Sequence, residues 1–169
     1  MPHVWISVGS NIAREKNINA ALSDLRDAFG PLAVSPVYET EAVGFKGDAF
    51  FNLVAGFDTG RSPLELHRLL REIEARHGRE RDGGKFAART LDLDLLTYGQ
   101  AVTEEGGKAL PRDEITRYAF VLAPLADVAP DERHPELGQS YRQLWERFEK
   151  SNESGLRRLE NPPWLDVTD

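Results

Sequence analysis

The sequence predicts an α+β sandwich, a mainly antiparallel sheet with helices packed on one face. Two observations predict it: extended segments alternate with two well-marked amphipathic helices, and the chain then returns to a hairpin-like β region. Length supports one such domain, because 169 residues fall within the usual span of a single domain and suffice for a self-contained core. The expected division is a domain over residues 1–150 and a polar tail over residues 151–169.

The elements follow in order. Val4-Trp5-Ile6-Ser7-Val8 is a short β-branched strand that meets a turn at Gly9-Ser10-Asn11. Ile18, Ala21, Leu22, Leu25 and Phe29 recur at helical spacing, and Gly30-Pro31 ends that helix. Extended segments over residues 32–40 and 50–59 flank a glycine-containing loop at residues 44–48. Ser62, Pro63 and Glu65 form a capping box with proline in the first turn. Leu66, Leu69, Leu70 and Ile73 make the apolar stripe of that second helix, which Gly78 stops. Glu74 falls on or beside the stripe, where a carboxylate is costly unless something pairs with it.

Residues 90–98 then alternate in period two, and a loop or hairpin leads to Pro111. Residues 117–128 are apolar and partly helical, interrupted by Pro124. Ser140 and Gln143 open a last helix carrying Leu144 and Phe148. The tail is loosely attached, with one apolar anchor at Pro162-Pro163-Trp164-Leu165.

Composition removes several function classes. Cysteine is absent, which excludes disulfides, thiolate metal sites and a cysteine nucleophile. The four histidines fit no metal-binding spacing. A net charge of -7 argues against a nucleic-acid partner. No apolar run approaches the length of a membrane span and the amino terminus lacks a secretory pattern, so the expected placement is cytoplasmic, without membrane. Phosphate-binding P-loop, dinucleotide and serine-elbow patterns are all missing.

The chemistry concentrates at Asp92 and Asp94. Two residues apart on a strand, they share a face with their Cα atoms roughly 6.5–7 Å apart, while Leu91, Leu93 and Leu95 point into the core. Neighbouring carboxylates repel, and one divalent cation or a pair would neutralise them. The ordinary alternative is the solvated face of an edge strand. Just upstream, Arg79, Arg81, Lys85 and Arg89 form a basic cluster on a glycine-containing loop. Cations beside metal-holding carboxylates are the recurring apparatus of phosphoryl transfer.

Arg89-Thr90-Leu91-Asp92-Leu93-Asp94 and Val8-Gly9-Ser10-Asn11 resemble the 6-hydroxymethyl-7,8-dihydropterin pyrophosphokinase family. Tyr38-x-Thr40, Phe51-Asn52, Ile73-Glu74 with Gly78-Arg79, and Ala119-Phe120-Val121-Leu122-x-Pro124-Leu125 support it, over roughly residues 4–145. The resemblance implies a ferredoxin-like sandwich, two Mg²⁺ ions, ATP as co-substrate, and a pterin alcohol receiving pyrophosphate with release of AMP. It implies a monomer. It also assigns roles residue by residue: Asp92 and Asp94 to metal, and Arg79 and Arg89 to the catalytic loops. Asn52 reads the pterin edge, Phe50 and Phe120 sandwich its ring, and Thr40 and Val43 lie where backbone contacts the pterin. Glu74, Arg81, Phe86 and Arg112 fall on the nucleotide side.

Departures from the family pattern cluster on that nucleotide side. Arg112 stands where the family has histidine, Phe86 where it has tryptophan, and Tyr118 where it has arginine, with Arg117 one residue earlier. Thr40-Glu41-Ala42 replaces Thr-Pro-Pro. The competing expectations are a diverged relative acting on another pterin-like alcohol, a non-catalytic pterin- or nucleotide-binding module, and, last, an RNA-binding domain.

Overall fold

The computed structural model describes residues 1–40, 49–78, 91–151 and 155–166. Val43, Arg79, Arg81, Lys85, Phe86 and Arg89, together with the 44–48 loop, lie outside the described residues.

The first strand, β1 (His3–Ser10), runs two residues into the expected turn. It is held on both sides: β4 (Phe50–Asp58) pairs antiparallel along its whole length, from His3↔Asp58 to Ser10↔Phe51. On its other side β5 (Asp92–Tyr98) pairs antiparallel from Val4↔Tyr98 to Gly9↔Asp92. With both neighbours in place, Gly9 and Ser10 are drawn into the ladder. Two short strands, β2 (Ala33–Val34) and β3 (Val37–Thr40), pair with β4 farther along. The order through the sheet is β5-β1-β4-β3-β6, where β6 (Arg157–Leu159) comes from the tail. Leu159, Trp164 and Leu165 also pack on the core, so the tail has a strand as well as the expected apolar anchor.

One face of the sheet carries α1 (Arg14–Phe29) and α2 (Pro63–Arg76). Ile18, Leu22 and Leu25 of α1 and Leu66, Leu70 and Ile73 of α2 bury against Val4, Ile6, Val8, Leu53, Leu93 and Leu95. The caps behave as their residues require. The Ser62 side chain accepts from the Glu65 N–H, and Glu65 reaches back to the Ser62 N–H. Gly30 ends α1 at φ 87°, a left-handed backbone glycine accepts freely.

The opposite face is covered too, which corrects the expectation of helices on one face only. There α3 (Glu114–Arg117), α4 (Ala119–Val128) and α5 (Tyr141–Ser151) bury Ile115, Val121, Leu122, Leu125, Tyr141 and Leu144 against Trp5, Val54 and Leu96. The reason is compositional: α4 is apolar around much of its circumference, and such a helix needs cover on more than one side. Pro124 sits inside α4 rather than interrupting it. Proline inside a helix forfeits one backbone hydrogen bond, at a cost of about 3 kcal/mol, which burial of Ala123, Pro124 and Leu125 offsets. Ser140 and Gln143 cap α5 reciprocally, at 3.0 and 3.2 Å.

Candidate active site

Strand register brings the site together. Directly opposed residues on neighbouring strands point to the same face. The pairs Asp92↔Gly9, Gly9↔Asn52 and Asn52↔Tyr38 therefore form one row across four strands. Asp94↔Ser7 and Ser7↔Val54 form the next row. Both rows look toward the face that carries α4. Two inter-strand spacings separate Asp92 from Asn52, about 9–10 Å between backbones. Gly9 lies between them, and a Cβ there would come within 2.7 Å of Asn52 Oδ1. The missing side chain leaves the floor open between the carboxylate and the amide.

Asn52 is only 9 % exposed, and its Nδ2 has no hydrogen-bond partner among the described residues. A buried amide donor left unpaired costs about 1–3 kcal/mol, so it is a natural point for a polar ligand edge. Phe50, half-buried, lies two residues from Asn52 on the same face, and Thr40 is its register partner on β3. Phe120 opens α4 on this side and stacks against Tyr118 at 5.0 Å between ring centroids.

The other end of the row is charged. Asp94 is half-buried, and burial together with the Asp92 charge pushes its carboxyl above the usual range. Arg112, Lys108 and Arg71 oppose that rise. Arg71 Nη2 lies 3.8 Å from Asp94 Oδ1, while Nη1 donates to Glu74 Oε1 at 2.6 Å. Glu74, 1 % exposed, accepts the Leu93 backbone N–H on its second oxygen at 2.8 Å. The stripe carboxylate thus has the partners that its position demanded.

Arg112 anchors its backbone N–H on the Leu96 carbonyl at 2.9 Å and its Nη2 on Glu114 at 2.8 Å. Its Nη1 is buried with no hydrogen-bond partner among the described residues. His67 Nε2 is in the same condition. Burial first, then Lys108, Arg71 and Arg112, lower the His67 imidazole below its ordinary value and keep it neutral. Burial and the Arg71 charge likewise lower Lys108. Arg71, Lys108 and His67 were not among the residues that the sequence singled out. Arg71 had a signal, since a basic residue three positions before a buried helical carboxylate is placed to pair with it. Lys108 and His67 had none.

The donor set suits magnesium, which is commonly held by one or two carboxylates completed by substrate phosphate oxygens and water. Among the described residues no three His, Cys, Asp or Glu side chains gather into a closed metal cage. Among the same residues no helix is long and apolar enough to cross a membrane.

A ferredoxin-like sandwich with paired carboxylates and cations at one end of a sheet face, and an open amide at the other, has the parts of a small-molecule phosphotransferase. Comparison with known proteins makes this specific. Residues 5–130 match the model of the 7,8-dihydro-6-hydroxymethylpterin-pyrophosphokinase family. The chain is 40 % identical over 141 residues to a 2-amino-4-hydroxy-6-hydroxymethyldihydropteridine pyrophosphokinase of Pseudomonas aeruginosa, covering 79 % of this chain and 84 % of that one. To the Bacillus subtilis protein of the same name it is 35 % identical over 128 residues, 73 % of this chain and 76 % of the other. The fold matches the crystal structure of Plasmodium falciparum HPPK-DHPS with a TM-score of 0.72 at 13 % identity, over 93 % of this chain; the chain spans 48 % of that longer protein. The chain belongs to the 7,8-dihydro-6-hydroxymethylpterin-pyrophosphokinase family and is an enzyme of pyrophosphoryl transfer in folate biosynthesis.

Proposed function

We propose that the chain carries out this transfer on the face bounded by Asp92, Asp94 and Asn52, moving the pyrophosphoryl group of ATP to the hydroxymethyl oxygen of 6-hydroxymethyl-7,8-dihydropterin. The observation that carries the assignment is the row Asp92–Gly9–Asn52, with a charged end and an amide end joined by an open glycine floor. Asn52 Nδ2 donates to the pterin edge, Phe50 and Phe120 flank its ring, and Thr40 lies along its rim, with Val43 kept as a backbone contact on the family resemblance alone. The hydroxymethyl arm then points toward the carboxylates.

Asp92 and Asp94 would hold magnesium, two ions in this reading. Held there, it would supply charge neutralisation at the phosphates and a more acidic pterin hydroxyl. Arg112 offers Nη1 to a phosphate oxygen, and Lys108 and Arg71 add positive charge beside it. Glu74 fixes Arg71 on the nucleotide side. Arg79 and Arg89 supply further cations to the transferring group, while Arg81 and Phe86 contact the nucleotide. The hydroxymethyl oxygen bonds to the β-phosphorus, the bond from that phosphorus to the bridging oxygen of the α-phosphate breaks, AMP leaves, and the hydroxyl proton passes to water. All the groups named come from one chain, so the reading needs no second subunit, and the enzyme is placed as a monomer in the cytoplasm.

The test is product analysis with ATP and the pterin alcohol. AMP is expected; ADP would mean transfer of a single phosphoryl group and would overturn the reading. Asp92→Asn and Asp94→Asn should each lose several kcal/mol of transition-state stabilisation, about 10²–10⁴-fold in turnover, with circular dichroism unchanged. Near-normal AMP release by either variant removes the carboxylates from the mechanism.

A further inference from the structure

The segment after residue 155 lies beyond the stretch that matches the family model, yet it meets the sheet at the proposed pterin end. Its strand β6 lengthens the sheet at β3 through Val37↔Leu159, Tyr38↔Arg158 and Glu39↔Arg157. Arg157 Nη2 donates to Glu39 Oε1 at 2.8 Å, and the second Glu39 oxygen accepts from Arg14 at 2.9 Å. Arg158 Nη1 donates to Asp127 Oδ1 at 3.3 Å, and Asp127 Oδ2 accepts from the Tyr38 hydroxyl. Tyr38 is the register neighbour of Asn52. A continuous chain of contacts therefore runs from the tail, through α4, to the residue beside the unpaired amide.

A second contact arrives from the opposite face. Trp164 stacks on Phe51 with ring centroids 5.2 Å apart and planes 6° apart. The Arg14 guanidinium also lies over the Phe51 ring, 3.8 Å from its centroid. Asn19 clips this part of the tail in place, its Nδ2 donating to the Trp164 carbonyl at 2.6 Å and its Oδ1 accepting the Asp166 N–H at 2.9 Å. Phe51 stands between Phe50 and Asn52. The opening of β4 is thus held on one face by Trp164 and flanked on the other by Tyr38.

We infer that the carboxy-terminal segment is a positioning element for the pterin: Arg158, through Asp127 and Tyr38, and Trp164, through Phe51, set the placement of Asn52 and Phe50. The inference rests on the reading of Asn52 and Phe50 as the pterin wall. Energetics favour placement over bulk stability as the role of Arg158. Its side chain is 46 % exposed, and exposed ion pairs contribute only about 0–1 kcal/mol. A small displacement of a substrate-orienting group has a much larger effect on the substrate it orients.

The test uses the full chain with Arg158→Ala, Trp164→Ala and Asn52→Ala, varying pterin at saturating ATP and then ATP at saturating pterin. Each tail variant should raise the pterin KM by about tenfold, leaving kcat and the ATP KM within about twofold. Arg158→Lys and Trp164→Phe should recover most of that loss. Unchanged pterin KM in both tail variants, with Asn52→Ala raising it, overturns the positioning role and leaves the wall reading standing. Equal loss toward both substrates, following a fall in Tm without rescue, also overturns it, since a merely structural role behaves that way. An unmoved pterin KM in Asn52→Ala overturns the wall reading and the inference with it.

Discussion

Glu74 stands where the periodicity of α2 calls for an aliphatic side chain, and its two oxygens explain why a carboxylate is kept. One takes the Arg71 guanidinium at 2.6 Å and the other the Leu93 backbone N–H at 2.8 Å. Leu93 lies on β5, at the end of the strand order among the described residues, so its N–H would otherwise face outward with no neighbouring strand. Glu74→Ala removes the acceptor of the Leu93 N–H and leaves Arg71, among the described residues, with only the 3.8 Å contact to Asp94. Breaking a buried ion pair by removing one member costs about 3–5 kcal/mol. At this size each kcal/mol corresponds to about 2–4 °C in Tm, so a fall of about 6–20 °C is expected in a thermal melt. Glu74→Gln keeps an acceptor for Leu93 and should lose distinctly less. Equal losses in the two variants would mean that the Leu93 contact contributes nothing.

At the scale of elements, the row across β5, β1 and β4 depends on one residue having no side chain. An added Cβ at Gly9 would press on Asn52 Oδ1 at 2.7 Å, closer than side-chain carbons approach oxygen, so the amide must turn. Gly9→Ala is expected to weaken pterin binding by about tenfold, the equivalent of 1.4 kcal/mol, measured by calorimetry with the pterin alone. Unaltered affinity would mean that the floor is not part of the pocket. Most of the individual strands and helices are legible in the sequence, though β6 in the polar tail is not. The Leu91, Leu93, Leu95 alternation put Asp92 and Asp94 on one face, and the Ser62–Glu65 box marked the start of α2. Relations between elements were not. Nothing in the pattern of β4 says that Asn52 stands opposite Gly9, because register is a property of two strands together. Nor does Lys108, in a hairpin with no period to read, announce that its charge acts on Asp94. The resemblance named Asn52, Phe50 and Phe120 by position alone; the sheet register is what sets Asn52 in one row with Asp92, with Phe50 on the same face.

For the whole molecule the sheet is a septum between two cores, and the proposed site opens on the side of α3 and α4, where cations are interleaved with carboxylates. The protein carries a net -7, yet the charges of Arg112, Lys108 and Arg71 all act on Asp94, with Arg71 at 3.8 Å. A triphosphate is drawn to those cations, but beside Asp92 and Asp94 it meets like charge unless magnesium intervenes. Metal and nucleotide should therefore stabilise the fold cooperatively rather than additively. A non-hydrolysable ATP analogue with magnesium, at about a hundred times its Kd, adds about 2.7 kcal/mol of stability. At about 2–4 °C per kcal/mol, Tm should rise by about 5–11 °C in a scanning calorimeter. Chelating the metal at the same analogue concentration should remove most of that rise, and Asp94→Asn should remove the magnesium-dependent part while leaving a residual response to the analogue. The same rise with chelator as without it would mean that the cations bind the triphosphate unaided, and that the carboxylates serve some purpose other than holding metal.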